Sequence, residues 1–128
     1  MTRINVIPVS QLWDQHLLAE HREIKRIPNL VKKGKYNLDD QPDHYTLGTG
    51  HVKFFYDKLE FLFKRYIELY YECSRRGFNI ENYSDAFQDY PNELWNDYTP
   101  TRQAIELNKE RIQDKYKPNF YKYYGNNI

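Results

Sequence analysis

Chemistry at the start of the chain is suggested by Thr2, which would carry a free α-amine once Met1 is removed. Removal is expected because threonine has a small side chain. An α-amino group has a pKa of about 8, against about 10.4 for a lysine side chain. Part of it is therefore unprotonated at neutral pH, and neighbouring arginines increase that part. Such an amine can attack an electrophilic carbon and form an imine without a metal or a cofactor.

Polar side chains that could assist this amine follow on a segment with helical periodicity. At about 100° per residue, two adjacent stripes form on one side of the helix. The first stripe holds Gln15, Ala19, Arg22 and Arg26, and the second holds His16 and Glu23. Apolar residues at helical spacing predict the buried side, which consists of Trp13, Leu17, Ile24, Ile27 and Val31. An amine, a carboxylate and several arginines could therefore converge at one end of the molecule.

Composition and charge limit the classes to which the protein can belong. No stretch approaches the roughly 20 apolar residues of a membrane helix, and no signal peptide is visible, so an intracellular, cytoplasmic protein is expected. The single cysteine, Cys73, excludes an internal disulfide and a cysteine-based metal site, and is expected to pack in the core. Residues 1–36 carry a net charge of +4 and the remaining residues −3. A basic end is typical of a nucleic-acid-binding surface, although it can also be solvated surface alone.

The first two helices are predicted from caps and breakers. Ser10 is a suitable N-cap for the first helix, and Pro28 should end or bend it. A second helix is predicted at about residues 52–76, where apolar residues repeat at intervals of four and three, with Gly77 as its stop. Together with a third helix they predict one all-α domain that covers residues 1–128.

The third helix is predicted after Pro100, at about residues 101–116. Arg111 and Lys115 lie one turn apart on its outer side. A long loop is predicted at residues 32–50, and an irregular stretch that includes a short helical turn at residues 78–100. An aromatic tail at residues 119–128 ends the chain.

Three blocks of sequence carry a resemblance to a known family. The first is MTRIN with S-x-L-x-DQHL-x-AE-x-RE and a closing Arg26, the second is LGTGHVKFFYDKLEFL with ECSRRGFNI, and the third is YKYYG at residues 121–125. With these blocks the chain resembles the phage pyrimidine-dimer DNA glycosylase family, also called endonuclease V of the ultraviolet-repair type. The resemblance covers nearly the whole chain. It implies an all-α fold, a phage or bacterial origin and damaged double-stranded DNA as the substrate.

The resemblance also implies roles for particular residues. Thr2 would attack C1′ of the damaged nucleotide, and Glu23 matches the catalytic acidic residue, although a salt bridge with its neighbouring arginines is the alternative. A guanidinium fork suits phosphate, which is the role expected of Arg3, Arg22 and Arg26. Gln15 and His16 are expected to form hydrogen bonds to the abasic sugar or to bases. Arg111 and Lys115 are expected to contact the DNA backbone.

Lesion recognition is expected in the tail, where Tyr121 and Lys122 begin the YKYYG motif and aromatic rings can stack on exposed bases. The alternative is that Tyr123 and Tyr124 pack the tail onto the first helix. Three residues depart from the family pattern, in which tryptophan, tyrosine and a basic residue stand at the positions of Phe120, His21 and Phe63. The loop at residues 33–45 also differs. These changes affect specificity and affinity before they affect chemistry.

The predicted function is excision of cyclobutane pyrimidine dimers through an imine with Thr2, followed by β-elimination at the abasic site. The protein is expected to act as a monomer without a cofactor, and without a metal because no cluster of carboxylates or histidines has the spacing of ligands. One alternative keeps the amine chemistry on another lesion, such as an abasic site or a ring-opened purine. The other is a non-catalytic, helical DNA-binding protein.

Overall fold

A computed structural model describes residues 2–128; Met1, and with it the prediction that this residue is removed, lies outside the described residues. The prediction of an all-α fold is confirmed. The helices are α1 (Asp14–Glu23), α2 (Arg26–Lys32), α3 (His51–Phe54), α4 (Leu59–Arg75) and α5 (Arg102–Asp114), and three short 3-10 turns lie at Val9–Gln11, Ser84–Phe87 and Asn92–Leu94. Within residues 2–128, no helix is both long and apolar enough to cross a bilayer.

The first predicted helix differs in detail from the prediction. Ser10 is not its N-cap, because it belongs to the 3-10 turn at Val9–Gln11, and α1 begins after Trp13. Pro28 lies in the first turn of α2, and the helix is interrupted at Ile24 and Lys25, one turn before it, as the prediction of an end or a bend requires. The N–H groups of a first turn have no partner within the helix, so a proline there removes no hydrogen bond.

The second predicted helix is two helices, α3 and α4, separated by a turn at residues 55–58. The apolar pattern continues through the break because Phe55 and Leu59 are both fully buried. Asn96, which is distant in the sequence, stabilises the break. Its carbonyl accepts from the N–H of Phe61 (3.2 Å), and its side-chain amide donates to the carbonyl of Asp57 (2.7 Å). Local spacing cannot predict a break that depends on a residue so distant in sequence.

The end of α4 agrees with the prediction. Gly77 has a positive φ of 85°, which glycine adopts without a steric penalty. Its N–H donates to the carbonyl of Ser74, and the N–H of Phe78 donates to that of Cys73, both at 3.0 Å. These two bonds form the Schellman arrangement that ends many helices. Cys73 itself is fully buried, as expected of a core residue.

The third helix, α5, begins one residue after the predicted start, with Thr101 as its N-cap accepting from the N–H of Ala104 (3.1 Å). Ile112 is buried and Ile105 is half-buried, so the predicted inner side is correct. The same side also carries Asn108, a polar residue with no exposed surface.

Asn108 is buried because it binds the leading segment, residues 2–8. That segment is extended and largely buried, so its backbone groups need partners that no neighbouring strand supplies. The Oδ1 atom of Asn108 accepts from the N–H groups of Val6 (2.7 Å) and Ile7 (3.2 Å), and its Nδ2 donates to Oδ1 of Asn5 (2.7 Å). One carboxamide therefore fixes three consecutive residues against α5.

Asn108→Ala is expected to lower the free energy of unfolding by about 3 kcal/mol, because buried N–H groups of the leading segment lose their acceptor. Chemical denaturation monitored by circular dichroism would measure this. The exposed neighbour Lys109→Ala is the matched control and should change stability by no more than about 0.5 kcal/mol. Equal stability of the two variants would contradict a structural role for the Asn108 carboxamide.

The tail forms a small antiparallel hairpin of β1 (Lys122–Tyr123) and β2 (Asn126–Asn127). Tyr124 and Gly125, the two turn residues, both have positive φ (51° and 82°), as a type I′ turn requires. The hydroxyl of Tyr123 donates to the carbonyl of Ser10 (2.6 Å), and the N–H of Tyr124 donates to Oδ1 of Asp14 (3.0 Å). The alternative in which these tyrosines pack the tail near the start of the first helix therefore agrees with the structure.

Candidate active site

A cavity of about 240 Å³ lies between the leading segment, α1, α5 and the tail. Six of the residues predicted from sequence line it: Arg3, His16, Glu23, Arg111, Lys115 and Tyr121. Four lining residues were not predicted as part of a site: Asn5, Ala19, Glu20 and Ile112. The structure thus brings together groups from two parts of the chain that are far apart in the sequence, residues 3–23 and residues 111–121.

Helix α1 forms one wall of the cavity. Its lining residues, His16, Ala19, Glu20 and Glu23, follow one another at i, i+3, i+4 and i+7, which places them on one helical face. Ala19 has the smallest side chain of the four and leaves the centre of the wall open. The predicted stripe of His16 and Glu23 therefore faces the cavity.

Glu23 holds the leading segment at the edge of the cavity. Its Oε1 atom accepts a hydrogen bond from the backbone N–H of Arg3 (3.0 Å), and its side chain is 15% exposed. The predicted salt bridge with Arg22 is long, at 3.8 Å between Nη2 and Oε2, and Arg22 is 59% exposed. An exposed pair at this distance contributes little to stability, so the Arg3 contact is the stronger restraint on Glu23.

Thr2 lies beside the main cavity rather than in its wall. It lines a cavity of about 120 Å³ with Gly48, His51 and Val52, and Arg3 lines both this cavity and the main one. Three covalent bonds separate the nitrogens of Thr2 and Arg3, so the Thr2 nitrogen lies within about 7 Å of Oε1 of Glu23. The nitrogen and the carboxylate that were predicted to act together are therefore neighbours.

Glu20, the second carboxylate in the cavity wall, is neutralised by a buried arginine. Arg65 donates to Oε2 (2.7 Å) and Oε1 (3.1 Å) of Glu20, and the two side chains are only 5% and 1% exposed. Arg65 also donates to the carbonyl of Ile7, and Asn5 donates to Oε1 of Glu20 (2.9 Å). This ion pair therefore supports the leading segment and leaves Glu23 as the carboxylate available for chemistry.

Three cations give the cavity a positive potential. Burial lowers the pKa of Arg3, and the neighbouring charge of Arg111 lowers it further. The Nε atom of Arg111 is buried without a hydrogen-bond partner among residues 2–128, and Lys115 extends from the end of α5. An anion between these groups would satisfy the buried donor and reduce the repulsion between the guanidinium groups. Cations near an amine also lower its pKa.

Aromatic rings close the side of the cavity nearest the tail. The ring centroid of Tyr121 lies 4.8 Å from those of His16 and Trp13, and Tyr121 is only 8% exposed. Burial lowers the pKa of His16, with a smaller effect from Arg3, so the imidazole is neutral near pH 7. Its Nδ1 atom is buried and makes no hydrogen bond within the described part of the chain.

The comparison with protein families decides which enzymes this arrangement belongs with. The family model described as pyrimidine dimer DNA glycosylase matches residues 1–86, which is about two thirds of the chain. The chain belongs to this family. It is therefore a DNA repair glycosylase of the pyrimidine-dimer type, and its substrate is DNA. The resemblance found in the sequence is confirmed.

The matched residues include the part of the site that this glycosylase builds from its leading segment and α1. Arg111, Lys115, Tyr121 and Lys122 lie beyond the match, on α5 and the tail. Among the described residues, no group of three or more His, Cys, Asp or Glu side chains is arranged to hold a metal ion.

Besides Thr2, four predicted residues of the glycosylase lie outside the main cavity. Gln15 binds backbone groups of the tail, and Arg22 extends into solvent beside Glu23. Arg26 lines a separate groove of about 320 Å³ with Thr2, Asn29, Leu30 and Lys33. Lys122 lies on β1 with its side chain exposed. Thr2 consequently stands between the main cavity and a second basic groove.

His51 is a positioning residue that sequence analysis did not identify. Its Nε2 atom accepts from the N–H of Ile4 (2.9 Å), so the proton must reside on Nδ1, which donates to the carbonyl of Thr46 (2.7 Å). The available signal was the LGTGH block. Gly50 has a φ of 90°, and a Cβ atom there would lie 2.8 Å from Cγ of Pro42, so only glycine fits directly before His51.

The contribution of His51 to folding stability is expected to fall as the pH drops. Burial lowers the pKa of His51; the Thr46 hydrogen bond opposes this, and Arg3 lowers the pKa further. This contribution is fully present above about pH 6.5, where the histidine of the unfolded chain is neutral. It is lost as the pH falls from there through the pKa of His51 in the folded protein. His51→Gln should lose less stability on acidification, because glutamine can accept from Ile4 without titrating.

Urea denaturation of both proteins at about pH 8 and about pH 5 would test this. Burial also lowers the pKa values of His16 and His21, but these residues are present in both proteins. The difference between the two pH-dependent losses therefore reports on His51. An identical loss in the wild-type protein and in His51→Gln would show that His51 does not control this pH dependence.

Proposed function

We propose that the protein excises cyclobutane pyrimidine dimers through an imine formed by the α-amine of Thr2, and then cleaves the strand at the abasic site. The observation that carries this proposal is the hydrogen bond from the backbone N–H of Arg3 to Glu23 at the edge of a basic cavity. It supports an arrangement in which two groups act on the same sugar carbon. They are the α-amine of Thr2, in a chain that begins at this residue, and the carboxylate of Glu23.

The glycosidic step is nucleophilic substitution at C1′ of the 5′ nucleotide of the dimer. The bond between Thr2 nitrogen and C1′ forms, the bond between C1′ and the base nitrogen breaks, and the base leaves with a proton. Glu23 stabilises the positive charge that develops on the sugar. Opening of the sugar ring and loss of the amine proton then give the imine, and Glu23 transfers protons in these steps.

The lyase step uses the acidity that the imine gives to C2′. A C2′ proton is removed, the electron pair forms the C1′–C2′ enamine and then a C2′–C3′ double bond, and the 3′ phosphate leaves with the C3′–O bond electrons. Water hydrolyses the remaining imine and regenerates the free amine. Arg3 and Arg111 suit the phosphates on either side of the reacting sugar, since guanidinium groups retain their charge.

Binding involves damaged duplex DNA and one copy of the protein. Displacing a nucleotide from the stack would bring C1′ within reach of Thr2. Binding is expected to weaken steeply with salt, because each phosphate contact releases counterions. The exposed side chains of Arg22, Arg26 and Lys122 are proposed to contribute to this contact.

Reductive trapping tests the proposal directly. Borohydride should convert an imine with an abasic duplex into a stable covalent adduct, and mass spectrometry should locate it on Thr2. Intact mass of the protein reports whether Met1 is absent, and EDTA should leave activity unchanged. Failure to trap in protein that lacks Met1 would refute the amine mechanism. Comparing duplexes with a pyrimidine dimer and with a formamidopyrimidine separates the proposed lesion from ring-opened purines.

A further inference from the structure

The tail hairpin leaves one edge of β1 directed away from β2. The N–H of Ile128 donates to the carbonyl of Tyr121 (3.3 Å), so Tyr121 and Ile128 form a hydrogen-bonded pair of the hairpin. Such positions alternate along an antiparallel ladder, so Lys122 occupies a non-hydrogen-bonded one. Its N–H therefore points away from β2, on the same side as the carbonyl of Phe120.

Gln15, in the first turn of α1, occupies this edge. Its Nε2 atom donates to the carbonyl of Phe120 (2.6 Å), and its Oε1 accepts from the N–H of Lys122 (3.0 Å). A carboxamide presents a donor and an acceptor as a peptide group does, so the side chain takes the place of a third strand. The two bonds hold the backbone on both sides of Tyr121.

Tyr121 is the part of this segment that reaches the cavity. It lines the cavity, and its ring contacts His16 and Trp13 on α1 at centroid distances of 4.8 Å. The adjacent ring of Phe120 is half exposed. Because the Gln15 side chain binds the backbone on both sides of Tyr121, the place of the Tyr121 ring depends on that side chain.

We infer that Gln15 is a positioning residue for lesion specificity, which acts by holding Tyr121 in the cavity wall. This inference rests on the proposed function, since the wall would contact the damaged bases. An abasic sugar has no base to meet this wall. Loss of the Gln15 contacts should therefore reduce dimer excision more than it reduces imine trapping on an abasic duplex.

The test compares Gln15→Leu with Gln103→Leu, the same change at an exposed glutamine near the start of α5. In Gln15→Leu, exchange of the Lys122 amide measured by NMR should accelerate about tenfold, because its acceptor is lost. The ratio of dimer excision to abasic trapping should also fall about tenfold. Gln103→Leu should match the wild type in both measurements.

Combining Gln15→Leu with Tyr121→Leu separates positioning from direct DNA contact. If Gln15 acts through Tyr121, the double variant should lose no more specificity than Tyr121→Leu alone. Additive losses, or unchanged exchange of the Lys122 amide in Gln15→Leu, would overturn the inference. If the wild-type protein itself forms no adduct, the proposed function fails, whereas the amide exchange still reports on whether Gln15 holds the tail.

Discussion

Protein that retains Met1 is expected to form a covalent adduct with abasic DNA far more slowly, because the Thr2 nitrogen is then a peptide nitrogen and the free α-amine belongs to Met1, one residue away from the position where the mechanism needs it. Thr2→Gln should produce such protein, since a large second residue prevents removal of the initiating methionine. The rate of trapping should fall by at least about 10³-fold, as expected when the nucleophile of a covalent mechanism is removed. Borohydride trapping in single-turnover conditions measures this rate.

Thr2→Ser is the matched control for this experiment. Serine is small, so Met1 should still be removed and the amine should remain at the same backbone position. Its trapping rate is expected to stay within about threefold of the wild type, a change of less than 1 kcal/mol in the barrier. Adduct formation at the wild-type rate by protein whose mass includes Met1 would show that another amine carries the reaction.

Local spacing in α1 predicted the part of the site that depends on one helix. His16 and Glu23 are seven residues apart, and both line the cavity. Gln15 was assigned to the same side with Arg22, yet its carboxamide binds the tail, because the tail folds back by a turn at Tyr124 and Gly125. Helical periodicity gives the direction of a side chain and leaves its partner undetermined.

The residues that hold the leading segment could not be predicted in this way. Glu20 pairs with Arg65 across 45 positions, and Asn5 pairs with Asn108 across 103. In sequence, Asn108 resembles any polar residue on a helix surface, and its burial depends on how α5 packs against residues 2–8. Partner choice across such distances is a property of tertiary packing, which one sequence without related sequences does not reveal.

Glu23→Gln is expected to lower the rate of dimer excision by about 10²–10⁴-fold, the range of general acid–base catalysis. Glutamine retains an oxygen that can accept from the backbone N–H of Arg3, so the leading segment should stay in place. It lacks the negative charge and the capacity to transfer protons that the proposed mechanism assigns to Glu23. Binding to dimer-containing duplex should be unchanged or tighter, because a negative charge near the phosphates is removed.

Glu106→Gln is the matched control, since Glu106 lies on the exposed side of α5 and pairs only with the exposed Arg102 among the contacts described. It should alter neither binding nor excision. Glu23→Ala removes the acceptor as well as the charge, so it should also loosen the leading segment and lose stability, which Glu23→Gln should not. If Glu23→Gln excised dimers at a rate within tenfold of the wild type while Glu23→Ala did not, Glu23 would act as a tether for Arg3 rather than as the catalytic carboxylate.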